Sequence, residues 1–309
     1  MDGRLRDDIM KALGTRMGKR YGIAPRDTEG RNGHIRHEIC IHRAGEAQTV
    51  AICLEDAIMR CIKEGLTPDG LPGAIIQMYL QEEASQDISR GLYASRTLEG
   101  MARVRLVNYR ANSADLAGRP HRRFLDLAAD YYLDMEAATG IDGAAIQVTG
   151  KMAADWGVTE ERLYQLGMMG LSAHGGCQAV EVEDMLRKLT EEDPGEVEGI
   201  FGRQGQKPEM YVLLSPRQCF GAACLLDTAF LQKVADEKGC DMLIYPSSVH
   251  EAFAVPFRDG NGKILSTRDV QEINECTVPR YDWLSNSVYL YDRAKKGLGI
   301  FREGRPFTW

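Results

Sequence analysis

Met242-Leu243-Ile244-Tyr245-Pro246-Ser247-Ser248-Val249-His250-Glu251-Ala252-Phe253-Ala254-Val255-Pro256-Phe257 decides how the last third of this 309-residue chain is read. Two apolar runs flank a short polar stretch that opens on Pro246, the pattern of neighbouring strands separated by a turn. Residues 242–245 and 249–257 are therefore expected as strands. Working outward, 210–214 and 222–226 read as strands, 228–237 as a helix ending before Gly239, and 267–276 as a second helix. Residues 287–291 read as a strand paired with 298–301, and Asp259-Gly260-Asn261-Gly262 as a turn cluster. The order ββαββαββ over 208–309 implies a sheet with helices packed on one face.

Farther from that stretch the periodicities change. Leu5, Ile9, Leu13 and Met17 recur every fourth residue, which predicts a helix over 4–21 ended by Gly22 and Pro25. Strands are expected at 37–42 and 49–54, a helix at 55–63, and a capped helix opening on Thr67-Pro68-Asp69 and ending near 83. The polar residues 84–95 mark a boundary. Segments 104–109, 124–133 and 144–149 read as strands, 124–133 with a helix as its alternative, and Thr159-Glu160-Glu161 opens a helix through 169. An acidic helix at 180–189, broken by Glu191-Glu192-Asp193-Pro194-Gly195, lies in a Gly-rich connector. The expected fold class is α+β with mixed or antiparallel sheets. Its modules run 1–90 (N-terminal α+β), 91–173 (middle α+β), 174–207 (connector) and 208–309 (C-terminal).

Composition narrows the function classes. Hydrophobic residues make up 44% and charged residues 27%, ordinary for a folded chain. A net charge of −7 argues against a dedicated nucleic-acid coat, which needs a basic surface to meet phosphates. No run approaches the roughly 20 apolar residues that span a bilayer. Residues 1–8 carry no apolar signal core, so a cytoplasmic protein is expected. The eight cysteines are scattered, form no CxxC pair and sit mostly in apolar runs, as reduced core thiols do.

Several segments in order carry a family likeness: Val107-Asn108-Tyr109, Pro120-His121-Arg122 with Phe124-Leu125-Asp126-Leu127-Ala128, and Trp156-Gly157-Val158-Thr159-Glu160-Glu161-Arg162-Leu163-Tyr164. Gly221-Ala222-Ala223, Tyr245-Pro246-Ser247-Ser248-Val249-His250-Glu251, Asn274 and Val288-Tyr289-Leu290-Tyr291-Asp292 continue it. From about residue 33 onward the chain resembles the bacterial domain-of-unknown-function family numbered 5688, typical of clostridial-type anaerobes. Gly170-Leu171-Ser172 stands where that family's pattern leads one to expect an Asn-Thr pair. The C-terminal module is also distantly similar to a second uncharacterised family with the same strand, small-residue strand, helix and Pro-x-x-x-His order. Neither resemblance implies an activity, a cofactor or a catalytic residue.

The chemistry-bearing residues are weighed one cluster at a time. Ser247-Ser248-Val249-His250-Glu251 offers a hydroxyl, an imidazole and a carboxylate, the parts of a hydrolytic triad. On a strand, however, Ser248 and His250 share one face with Ala252 and Ala254, while Glu251 takes the other. No Gly-x-Ser-x-Gly elbow supports a nucleophile either. The reading preferred here is a binding groove beside the small residues 221–223, lined by Ser248, His250 and Glu251 with Asn274 and Asp282 as neighbours. His250 then reads the ligand by hydrogen bonding. The bland alternative is that the serines satisfy the turn while His250 and Glu251 hold Arg280 or a strand edge.

His34, His37, Cys40 and His42 have metal-like spacing but diverge along a strand, so no metal is expected. Arg103, Arg105, Arg110, Arg119, Arg122 and Arg123 face only Asp115 in their stretch. Of these, Arg119, Arg122 and Arg123 are the candidates for a phosphate or an acidic partner, with surface ion pairs as the competing use. Gly297-Leu298-Gly299 and the glycines at 202 and 205 lack the rest of a nucleotide loop, and no cofactor is expected. The function expected is therefore non-catalytic binding of a small molecule or a protein. A hydrolase or transferase using Ser248 or His250 is one alternative, and a nucleic-acid regulator acting through 103–123 is the other.

Overall fold

The computed structural model describes residues 3–45, 49–63, 65–91, 95–136, 145–173, 176–189, 209–215, 219–258 and 265–302. It is an α+β protein whose sheets are antiparallel. Two compact units divide the chain, one formed by Met1–Thr97 with Met135–Ala144, the other by Leu98–Asp134 with Ala145–Trp309. The turn expected at 259–262, the break at 191–195 and the glycines at 202 and 205 lie outside the described residues.

In the first unit α1 (Gly3–Met17) buries Ile9 and Leu13, two members of the predicted stripe. The chain then enters β1 (Tyr21–Glu29), where the sequence had suggested only a helix end. Pro25 explains the difference. It has no N–H to give a ladder and sits on an edge strand, the one place in a sheet that tolerates it. β1 pairs antiparallel with β2 (Ile35–Arg43), which pairs with β3 (Thr49–Cys53). Ile39, Ile41 and Ile52 face α1, α2 (Leu54–Lys63) and α3 (Leu71–Gly91) in a core closed by Leu54, Ile75 and Tyr79. The polar 84–91 segment is the continuation of α3.

The second unit holds two sheets. In the smaller, β6 (Leu127–Asp134) is central, with β4 (Ala102–Asn108) on one edge and β5 (His121–Phe124) and β7 (Ala145–Gln147) on the other. The single strand expected at 124–133 is thus a hairpin, turned at Leu125 and Asp126 with Leu125 in the left-handed region (φ 55°). α4 (Ser95–Met101) leads into β4, α5 (Ser113–Leu116) follows it, and α6 (Gly150–Trp156) and α7 (Glu160–Ser172) come after β7. Thr149 and Thr159 cap α6 and α7 by accepting from the backbone N–H three residues on.

The larger sheet runs β13-β12-β10-β11-β9-β8, from β8 (Gln178–Glu181), β9 (Tyr211–Leu214), β10 (Asp241–Tyr245), β11 (Ala252–Phe257), β12 (Tyr289–Asp292) and β13 (Gly297–Ile300). Its outermost strand comes from the expected connector and runs straight into α8 (Val182–Leu189). Met242, Ile244, Ala252, Ala254, Tyr289 and Tyr291 pack toward α9 (Thr228–Lys238) through Leu231, Val234 and Ala235. Their alternates Leu243, Tyr245, Phe253, Val255 and Leu290 pack toward Val270 of α10 (Thr267–Thr277). Helices therefore cover both faces, α10 adding a layer to the one expected.

Residues 222–226 are a 3-10 helix (Gly221–Leu226), not a strand. The run is wholly buried, and a short stretch of alanines and leucines has no period that separates strand from helix. Phe220, in the left-handed region at φ 51°, sets up the turn that starts it. β11 begins only at Ala252, so 249–251 are loop and the strand-face argument for Ser248, His250 and Glu251 does not apply.

Candidate functional site

The loop between β10 and β11 is held on both sides by backbone bonds. On one side Leu284 N–H donates to Ser247 O at 3.0 Å, Ser285 N–H to Pro246 O at 2.9 Å and Val249 N–H to Asp282 O at 2.9 Å. On the other, Ala222 N–H donates to Val249 O at 3.3 Å. Gly221 makes that approach possible. A Cβ there would lie 2.4 Å from the carbonyl oxygen of His250 and 2.6 Å from Ser215 N, both backbone atoms.

This clamp fixes His250 in one protonation pattern. Its Nδ1 accepts from Phe220 N–H at 3.3 Å, which leaves the proton of the neutral ring on Nε2, 3.4 Å from Asp282 Oδ1. The imidazole stacks on the Phe220 ring with centroids 5.5 Å apart and planes 18° apart. Tyr132 meets the same ring edge-on at 5.0 Å, and the Arg105 guanidinium stands 5.1 Å from its centroid. Arg105 is itself anchored by the buried Asp130 at 3.0 Å and by Gln147. A non-glycine residue with positive φ, held in place by packing, is where backbone strain is retained for a site.

Ser248 is buried, and its Oγ accepts from the His250 backbone N–H at 3.0 Å. Burial pushes the Glu251 carboxyl above its ordinary value and Asp282 adds to the rise, against the opposing pull of His250 and the Ser248 hydroxyl. Trp283 secures the next wall, its indole N–H donating to Val278 O at 2.6 Å.

These groups converge on a cavity of about 410 Å³ on the α10 face of the larger sheet. Ser248, His250, Glu251 and Asp282 supply its polar wall; Met185 of α8, Val212 and Leu214 of β9, Val278 and Pro279 supply its apolar wall, and Thr277 completes it. His250 keeps about a third of its side chain exposed (32%), so the cavity opens to water beside it. Four of the five positions named from sequence thus share one surface. Asn274 does not: it is buried and its amide donates to Ser285 O and Asn286 Oδ1 at 3.3 and 2.8 Å, tying α10 to the following turn.

The arginines have internal uses. Arg122 makes a two-pronged pair with Glu160 at 2.8 and 3.1 Å, reaches Glu161 and lies 4.1 Å from the Tyr164 ring centroid. Arg119 pairs with Asp115 at 3.1 Å, and Arg123 covers the Tyr109 ring and donates to Leu125 O. Arg103 meets Asp134 at 3.5 Å. In the first unit His37 bonds Asp27 at 2.9 Å, while the His42 ring fills the space above Gly22. Among the described residues no three His, Cys, Asp or Glu side chains are placed to hold a metal ion.

Sequence reading missed Phe220 and Arg105 as supports of His250, and the wall residues Met185, Val212 and Leu214. Nothing local marks a phenylalanine for the left-handed region. A second unforeseen cluster joins the two sheets of this unit: Asp126 accepts from Ser285 Oγ at 2.6 Å, Ser287 Oγ at 3.0 Å and the buried Tyr289 hydroxyl. Burial foremost, with that carboxylate, holds the Tyr289 phenol well above its ordinary value.

Fold and geometry define a class: an antiparallel α+β protein with a half-open polar and aliphatic cavity, no described helix long and apolar enough to cross a membrane, and free cysteines. The chain belongs to the family of unknown function DUF5688, whose family model matches residues 4–293. No curated protein and no solved structure matches it.

Proposed function

We propose that this chain is a non-catalytic cytoplasmic binding protein whose C-terminal module, 208–309, carries a small-molecule site at the Ser248–His250–Glu251–Asp282 cavity. The observation that carries this reading is the convergence of four polar side chains from two segments, the 248–251 loop and Asp282, on one cavity with an aliphatic wall. Its volume falls in the lower part of the range typical of small-ligand sites, roughly 300–1,000 Å³. A concave site of that size favours a small molecule over a protein surface, which meets flatter and larger areas.

Hydrogen bonding speaks for binding over hydrolysis. A serine nucleophile needs a base to take its proton, whereas one ring nitrogen of His250 is occupied by the Phe220 N–H and the other faces Asp282. For the arginines of 103–123, carboxylate and ring partners favour a structural role over phosphate contact.

Native mass spectrometry of the purified protein tests the proposal. The expected result is a small-molecule adduct that a cavity-filling Leu214→Trp variant loses. Ligand at about 100 times its Kd stabilises the fold by about 2.7 kcal/mol, a thermal shift of several degrees. Absence of both adduct and shift across a metabolite library overturns the reading. Esterase, phosphatase or peptidase turnover abolished by Ser248→Ala supports the hydrolase alternative. Salt-sensitive retention on a polyanion column supports the nucleic-acid one.

A further inference from the structure

We infer that the occupant of this cavity is an aliphatic molecule bearing a hydrogen-bonding cation, a primary ammonium or a guanidinium. The inference rests on the binding reading above and narrows it to a ligand class.

Charge comes first. The wall presents the Glu251 and Asp282 carboxylates beside one imidazole, and no lysine or arginine lines it among the described residues. The imidazole points its Nε2–H toward Asp282. An anionic ligand would meet like charge at short range, and a neutral one would leave Glu251, partly withdrawn from water, with a serine hydroxyl and a nearby ring as its support. Removing a carboxylate from water without a cation is costly, and a cation bound beside it offsets that penalty.

The rest of the wall selects the kind of cation and its body. Met185, Val212, Leu214, Val278 and Pro279 are aliphatic, and the one aromatic ring on the wall among the described residues, the His250 imidazole, is stacked on Phe220. Quaternary ammonium groups lack N–H donors and are recognised by the faces of aromatic rings. Here recognition must come from carboxylate oxygens, which require donors on the ligand. The aliphatic wall matches a methylene chain rather than a bare ion.

Four probes with one hexyl body separate the possibilities: hexylamine, hexanoate, hexanol and hexyltrimethylammonium, each titrated into the full-length protein by ligand-observed NMR and calorimetry. Hexylamine is expected to bind at least about tenfold more tightly than the other three. Glu251→Gln is expected to weaken hexylamine about tenfold, the loss of one charge-assisted hydrogen bond, and to leave hexanol within about twofold. Comparable affinity for hexanoate or hexyltrimethylammonium overturns the cation inference and leaves the cavity reading standing. An unchanged hexylamine affinity in Glu251→Gln overturns it as well. Failure of all four probes also overturns it, and the native mass spectrum then decides whether the cavity reading falls with it. Because the probe comparison uses the unmutated protein, the inference stays refutable even if the variant fails to fold.

Discussion

Replacing Gly221 with alanine tests the central contact of the site. The added methyl would lie 2.4 Å from His250 O, 2.6 Å from Ser215 N and 3.0 Å from Leu214 Cα. All three are backbone atoms, tied into the β10–β11 loop and the end of β9, so no side chain can swing aside. Either the 3-10 helix or the loop must move. Overpacking a rigid site of this kind costs about 1–3 kcal/mol, and a backbone clash on two sides puts this case at the upper end. For a unit of this size each kcal/mol moves Tm by roughly 2–4 °C, so a drop of roughly 6–12 °C is expected. Circular dichroism melts provide the measurement, with Gly118→Ala as control because a Cβ there meets nothing within 4 Å. The control should stay within about 0.5 kcal/mol of the parent. A Gly221→Ala protein that melts within 1–2 °C of the parent (roughly the ordinary scatter of surface variants) would mean that the close approach of 221 to 250 is absent, and the clamp argument with it.

Three further outcomes follow from the contacts described. Tyr289→Phe removes a buried donor to the Asp126 carboxylate and should lower stability by about 1.5–3 kcal/mol in denaturant unfolding; a change under about 0.5 kcal/mol would show that the carboxylate does not need the phenol. Nitrogen-15 NMR of the neutral His250 ring should show the proton on Nε2, and a proton on Nδ1 would contradict the bond from Phe220 N–H. Glu251 carries a raised carboxyl pKa, so its stabilising contribution is complete below the unfolded value and is lost as pH rises through the folded one. The melting temperature of Glu251→Gln relative to the parent should therefore be higher at pH 7 than at pH 4; a flat or opposite difference would remove the burial argument for that carboxyl.

The parts of the fold that were legible are those whose signal is local. Thr159 before Glu160-Glu161 marks a helix start by its own side chain, and α7 begins there. The apolar runs at β10 and β12 read as strands because nothing polar interrupts them. β1 was not legible because Pro25 means a break until the sheet edge is known. Residues 222–226 were not legible because their burial, not their pattern, sets the conformation.

The site divides in the same way. Ser248, His250 and Glu251 stand out as polar residues inside an apolar run, so the sequence could name them. Their real arrangement comes from backbone bonds to 282–285 and from Phe220, partners about 30 residues away in either direction. Met185 reaches the cavity only because β8, at the start of the expected connector, completes the sheet. Asn274, expected as a neighbour of the groove, instead ties the end of α10 to the following turn.

The Ser248 oxygen, buried and accepting from the His250 backbone N–H, has a chemical consequence outside the cavity's own ligand. Fluorophosphonates and β-lactones label serines whose oxygen is free to attack and whose proton has a base waiting. This oxygen lies buried, and both nitrogens of the neighbouring imidazole are turned to other partners. In activity-based profiling of a whole proteome the protein should therefore remain unlabelled, although it carries a serine, a histidine and two acids within one small space.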